Sequence, residues 1–152
     1  VHLELLRLAR VLAADTGGRP RWVARNRAVS TAYYGLFHAL AELCARELVG
    51  AGRPWPPFRH IYRSLDHGHA RRVFEETARD RSSSRDARDL AQLFVDLQKA
   101  RHAADYDLGY RVSVSELADI LARAQLGVDL IGRLAPAESK LLAARLIGRT
   151  RA

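Results

Sequence analysis

"RNRAVSTAYYGLFHAL", residues 25–40, decides the fold. Val29, Tyr33, Leu36, Leu40 and Leu43 recur at steps of three or four, the period of a helix with one buried face. The pattern extends on both sides and predicts one long helix over 22–48. Beside the apolar stripe runs a second line: Arg27, Ser30, Tyr34 and His38 fall within roughly 80° of one another at ~100° per residue. Tyr34 and His38 are four apart, so their rings can touch or share a hydrogen bond. Two readings fit this strip. Tyr34 packs with its hydroxyl at the surface while His38 is a solvated or satisfied imidazole, or the strip lines a groove between helices.

A second stretch bears on the choice. In "KARHAADYDLGY", residues 99–110, Arg101 stands where a leucine would be expected. Leu90, Phe94 and Leu97 mark one side of a helix predicted over 86–107, and Arg101 and Ala104 continue that side. A guanidinium directed into a helical bundle needs partners, because an unpaired buried charge costs several kcal/mol. Asp105, four residues on, is placed for an arginine–carboxylate pair. The pair could serve only to set helix register, or the fork could sit in a cleft and also meet a phosphate.

The remaining elements follow from periodicity and punctuation. Residues 2–14 predict a first helix from the spacing of Leu3, Leu5, Leu6, Leu8, Ala9 and Leu12, ended by "DTGGRPR" at 15–21. "GAGRPWPPF" at 50–58 reads as non-helical because Pro54, Pro56 and Pro57 remove donors. Helix is expected again over 59–79 with a break near Gly68. "RDRSSSRD" at 79–86 reads as a polar turn in which Ser84 or Asp86 caps the next helix. "DLGYRVSVSE" makes a turn, and Ser113 with Glu116 forms a capping box for a helix over 114–133. Pro136 suits the first turn of a last helix reaching about Gly148, with Leu141, Leu142 and Leu146 as its apolar side. No stretch alternates with period two and no repeat is present. The expectation is an all-α chain, one domain over 1–152, folded as an antiparallel up-and-down bundle of four to five main helices.

Composition bounds the rest. The 152 residues are 48% hydrophobic and 28% charged, ordinary for a globular domain. No run approaches the ~18 apolar residues of a membrane span, and the first residues lack signal-peptide features. The single cysteine, Cys44, falls in a helical pattern and is expected as a small buried hydrophobe. Together these predict a cytoplasmic protein away from membranes. The net charge is +8, and Lys99 and Lys140 are the only lysines. Arginine's planar fork suits phosphate and carboxylate, which points to nucleic acid or an acidic partner. GC-rich coding accounts for the same excess.

"AVSTAYYGLFHAL", followed some seventy residues later by "RHAADYD", resembles the HEPN domains (higher eukaryotes and prokaryotes nucleotide-binding). The likeness is to the prokaryotic branch with an S-x-A-Y-Y-x-x-F-H helix and a later R-x-x-A-D-Y helix. Ser30, Ala32, Tyr33, Tyr34, Phe37 and His38 carry the first; Arg101, Ala104, Asp105 and Tyr106 carry the second. It covers roughly residues 1–133. The resemblance implies a dimerising helical bundle with its pocket between the two motif helices. It also implies a cytoplasmic toxin, or half of a two-gene toxin–antitoxin module with a nucleotidyltransferase partner. Many such proteins are metal-independent ribonucleases in which a histidine, separated from an arginine by four to six residues, acts as general acid/base and the arginine stabilises phosphate charge. Tyr106 lies near the position of a tyrosine that is modified by nucleotide transfer in such modules.

The chain departs from that signature. After four to six intervening residues beyond Arg101 stand Tyr106, Asp107 and Leu108, with no histidine, and His102 points about 100° away from Arg101. Arg53 to His60 and Arg63 to His69 match only formally. His38 could supply an imidazole from the neighbouring helix. No glycine-rich phosphate loop, cysteine cluster or His-Glu-x-x-His pattern occurs, and no cofactor is expected. "HGH" at 67–69 could recruit a metal with His60, although histidines beside glycine more often sit on a surface turn, and no metal site is expected. Trp55 and Phe58, beside Arg53, could stack on a base or fold back onto the bundle. The arginine-rich tail at 145–151 reads as a solvated helix end, or as an electrostatic footprint for RNA.

Three functions follow. The first is a homodimeric module whose groove (Arg27, Ser30, Tyr34, His38, Arg101, Asp105 and Tyr106) takes a nucleotide or RNA phosphate, without sequence-specific DNA binding. The second is a ribonuclease toxin with a divergent catalytic centre of Arg101, Asp105 and His38. The third is a scaffold whose polar groups only fix helix register.

Overall fold

A computed structural model describes residues 1–14, 21–51 and 54–151. Seven helices account for the regular structure among these residues, and no strand is present among them. They are α1 (His2–Ala14), α2 (Arg21–Leu48), α3 (Trp55–Ser64), α4 (His67–Arg79), α5 (Arg85–Tyr106), α6 (Val114–Arg133) and α7 (Pro136–Ile147). The all-α expectation holds, with the long helices α2, α5 and α6 within a residue of their expected bounds. Nearly all of the break expected at 15–21, and Arg53, lie outside the described residues. No described helix is long and apolar enough to cross a membrane.

Capping explains where several helices begin. The Ser84 hydroxyl accepts from the amide of Ala87 at 3.1 Å, as expected for the start of α5. At α6, the amide of Glu116 donates to Ser113 Oγ (3.1 Å) and the amide of Ser113 donates to Glu116 Oε2 (3.4 Å), a reciprocal box.

Three expectations need correction. "GAGRPWPPF" is not wholly non-helical: α3 starts at Trp55, with Pro56 and Pro57 in its first turn. The first amides of a helix have no intrahelical acceptor, so proline there loses no bond. The amide of Phe58 then closes the first turn onto the Pro54 carbonyl at 3.2 Å. The break expected near Gly68 is present, at Leu65 and Asp66, which are extended. Asp66 caps α4 by accepting from the His69 amide at 2.7 Å, which places Gly68 inside the new first turn. On α7, Leu142 and Leu146 are buried but Leu141 is 61% exposed. Leu43, expected on the core face of α2, is only half-buried.

The chain divides into two compact units, 1–38 with 93–128 and 39–92 with 129–152. In the first, Leu6, Val29, Tyr33, Leu36, Phe94 and Leu97 form the core. In α6, Gly127 sits so near its neighbours that a Cβ there would lie 2.8 Å from Leu36 Cδ1 and 3.0 Å from Leu93 Cδ2. In the second unit, Leu40, Cys44, Phe74, Leu90, Leu130 and Leu146 are buried. Arg145 of α7 reaches α4 there, meeting Glu76 at 2.8 Å and Thr77 Oγ1 at 3.2 Å. Cys44 is fully buried as expected, and burial pushes its thiol up to about 12.

Candidate functional site: a polar groove between α2 and α5

The first unit contains a groove of about 540 Å³ where α2 passes α5. Helical spacing brings Arg27, Ser30 and Tyr34 of α2 to one wall. Arg101, Asp105 and Tyr106 come from the last turns of α5. Six of the seven residues expected at the site therefore share one concavity.

Their contacts form a chain. The buried Ser30 hydroxyl donates to Asp105 Oδ1. The other carboxylate oxygen, Oδ2, lies 2.8 Å from Arg101 Nε, and both side chains are 17% exposed. That N–H is not aimed at the oxygen, so the contact is an ion pair without a formed hydrogen bond. Arg101 Nη2 donates to the Tyr34 hydroxyl at 2.7 Å. The guanidinium carbon also stands 5.8, 5.3 and 5.6 Å from the rings of Tyr33, Tyr34 and Tyr106, within cation–π range. Burial works against the charge, but the surrounding Tyr34, Asp105 and Tyr106 more than offset it and raise the Arg101 pKa. Behind it, Tyr33 is fully buried, accepts from Gln98 Nε2 at 3.2 Å, and is pushed up to about 12 by burial despite that bond and Arg101.

Arg27 completes the wall differently. It is exposed, lines the groove, and its guanidinium has no hydrogen-bond or ion-pair partner among the described residues. Trp22 and Tyr106 add aromatic surface. The arrangement can hold an anion: one arginine is fixed by a carboxylate and a phenol, and a second is left unneutralised.

His38 is not among the residues that line the groove. It lies one turn further along α2, where burial, with a smaller contribution from His2, lowers its pKa below 6.5. The expectation that it shares the site is not met by this geometry. His102 is exposed and its ring packs 4.9 Å from Tyr106. His69, from "HGH", directs Nε2 to the Arg145 carbonyl at 2.8 Å. No group of three or more metal-ligating side chains occurs among the described residues.

Of the lining residues that sequence reasoning missed, two bear on the turn after α5. Asn26 is 6% exposed, donates Nδ2 to the Tyr110 carbonyl (3.0 Å) and accepts from the Val112 amide (3.3 Å). It thereby ties the turn after α5 to α2. The available signal was its place three residues before Val29 and seven before Tyr33, an amide on the buried face itself. Trp22, the other, lies under the guanidinium of Arg111 at 3.4 Å. Arg111 in turn donates to the carbonyls of Leu108 and Tyr110, both at 2.9 Å.

No protein-family model, curated protein or solved structure matches this chain.

Proposed function

We propose that the groove binds the phosphate of a nucleotide or RNA, and that the chain is a HEPN-like binding module. On this reading it has the antiparallel bundle and homodimeric state that the resemblance implies. It also works with a nucleotidyltransferase in a cytoplasmic toxin–antitoxin pair. The observation that carries the reading is the orientation of Arg101 by Tyr34 and Asp105 in an open groove that also holds the unpaired Arg27. A pre-positioned fork loses little freedom when it meets a phosphate. A purely register-setting pair needs neither the open volume nor the unneutralised arginine.

Ribonuclease activity is the weaker alternative. General acid/base cleavage needs a proton carrier at the scissile phosphate, and no histidine lines the groove. The test is incubation of the purified protein with mixed RNA in EDTA, beside Arg101→Ala and His38→Ala. Retention of RNA without cleavage is expected, weakened about 10- to 100-fold by Arg101→Ala and unchanged by His38→Ala. Cleavage lost in both variants would establish the enzyme instead. Absence of both binding and cleavage would leave a scaffold.

A further inference from the structure

Helix α3, in the second unit, has a composition unlike its neighbours. Its ten residues, WPPFRHIYRS, contain no carboxylate, whereas each of the other six described helices carries at least one Asp or Glu. Several arginines elsewhere find acids within a turn or across a helix pair: Arg71–Glu75 at 2.9 Å, Arg133–Asp86 at 3.3 Å, Arg145–Glu76 at 2.8 Å. Arg59, His60 and Arg63 are all exposed, and their side chains have no hydrogen-bond or ion-pair partner among the described residues.

The same outward face bears Trp55, which is 60% exposed. Phe58 turns inward and is buried, so the two aromatics of the proline-rich segment take opposite roles. Their rings are stacked, 5.9 Å apart and 17° from parallel, and Phe58 continues to Tyr62 at 6.4 Å. Trp55 is thus an anchored platform with exposed ring surface. It borders an open depression of about 520 Å³ whose walls include Arg59, His60 and Arg63. Arg59 and Arg63 follow Trp55 at successive turns, about 6 Å apart along the helix axis.

We propose that this face of α3 binds single-stranded nucleic acid, with a base stacked on Trp55 and the adjoining phosphates held by Arg59 and Arg63. Solubility accounts for the basic side chains but not for an indole held among them with its ring exposed, an arrangement typical of binding surfaces. An acidic peptide would satisfy the arginines but would leave the indole without a π-partner. A base with its phosphate meets both needs, and such stacking tolerates any sequence. The inference stands on residues of the second unit and does not depend on the groove reading.

The test is fluorescence anisotropy of a labelled oligouridylate with the full chain. Trp55→Ala is expected to weaken binding about tenfold or more, and Trp55→Phe to retain most of it. Replacing Arg59 and Arg63 by Ala should flatten the dependence of log affinity on log salt by about 0.7 per arginine. Because these side chains are exposed, circular dichroism should show the fold intact. Stacking should also quench Trp55 emission in Trp22→Phe protein, whereas polyglutamate should not. Unchanged affinity in Trp55→Ala overturns the proposal whatever Arg101→Ala does. Polyglutamate binding as tightly as the oligonucleotide, with the same loss in Trp55→Ala, overturns it in favour of an acidic peptide. Weakening by Trp55→Ala with none by Arg101→Ala supports it and counts only against the groove.

Discussion

The hydroxyl of Ser30 donates to the carboxylate of Asp105, joining residues 75 positions apart and pinning α2 to α5. The carboxylate's second oxygen faces Arg101, so serine and arginine share one acid. Removing either leaves part of that acid unsatisfied in a mostly buried place. Arg101→Ala is expected to cost about 2 kcal/mol, below the full penalty for a broken buried pair because some solvent reaches both groups. Ser30→Ala should cost about 1.5 kcal/mol through loss of a bond to a charged acceptor. Urea unfolding measures both as a shift of midpoint at constant slope. Changes near zero would mean that the pair is not formed in solution. Lower binding in Ser30→Ala, whose hydroxyl is already committed to Asp105, should follow only from displacement of Arg101.

Asn26 supports the groove from behind. Its amide serves two backbone groups of the turn after α5, and no other residue type of that size offers both a donor and an acceptor there. Asn26→Ala is expected to destabilise by about 2 kcal/mol, since the buried Val112 amide loses its acceptor and the part-buried Tyr110 carbonyl is left with Arg111 alone. Asn26→Asp should be at least as damaging, because it sets a carboxylate against the Tyr110 carbonyl. Faster hydrogen exchange confined to residues 108–112 would show that the turn, rather than the whole helix pair, has loosened.

How far the sequence reveals this arrangement depends on the range of the interaction that determines each part. The helices and the Ser113–Glu116 box arise from neighbours within a few residues, and periodicity exposes them. Arg101 was legible because it violates its own helix's pattern, and a violation demands a partner. Trp55 at the head of α3 was obscured by its prolines, which forbid a helix interior but suit its first turn. His38 shares a stripe with Arg27, Ser30 and Tyr34, yet the groove ends before it. A stripe fixes direction around a helix axis, while the extent of a groove along that axis is set by which element packs there. Asn26 depends on a turn more than eighty positions away, a contact to which no local pattern refers.

Two glycines of α6 should respond oppositely to alanine. At Gly132 a Cβ meets nothing within 4 Å, so Gly132→Ala gains helix propensity and should stabilise by about 0.5 kcal/mol near the helix end. At Gly127 the methyl would press on Leu36 and Leu93, both buried. The packing strain of ~1–3 kcal/mol outweighs the ~1 kcal/mol propensity gain, leaving a net loss of about 1 kcal/mol. Thermal unfolding of the two variants tests the close approach of α6. Stabilisation by Gly127→Ala would show that the leucines give way without cost.

His38 predicts how stability varies with acidity. Burial holds its pKa below 6.5, so at intermediate pH the unfolded chain binds the proton more readily than the folded one. The contribution is therefore complete above ~6.5, declines as the pH falls through that value, and levels off below the folded pKa. Asp66 and Asp80 are also held below their ordinary 3.8, Asp66 chiefly by the His69 amide and Asp80 by the Ser82 hydroxyl and amide. Their contributions are lost only at pH below about 4, well under the pH at which the His38 contribution begins to fall. Urea midpoints should be lower at about pH 5 than at about pH 8 in the parent protein, with a smaller difference in His38→Gln. An equal pH dependence in the two proteins would assign the effect to other groups and place the His38 ring in water.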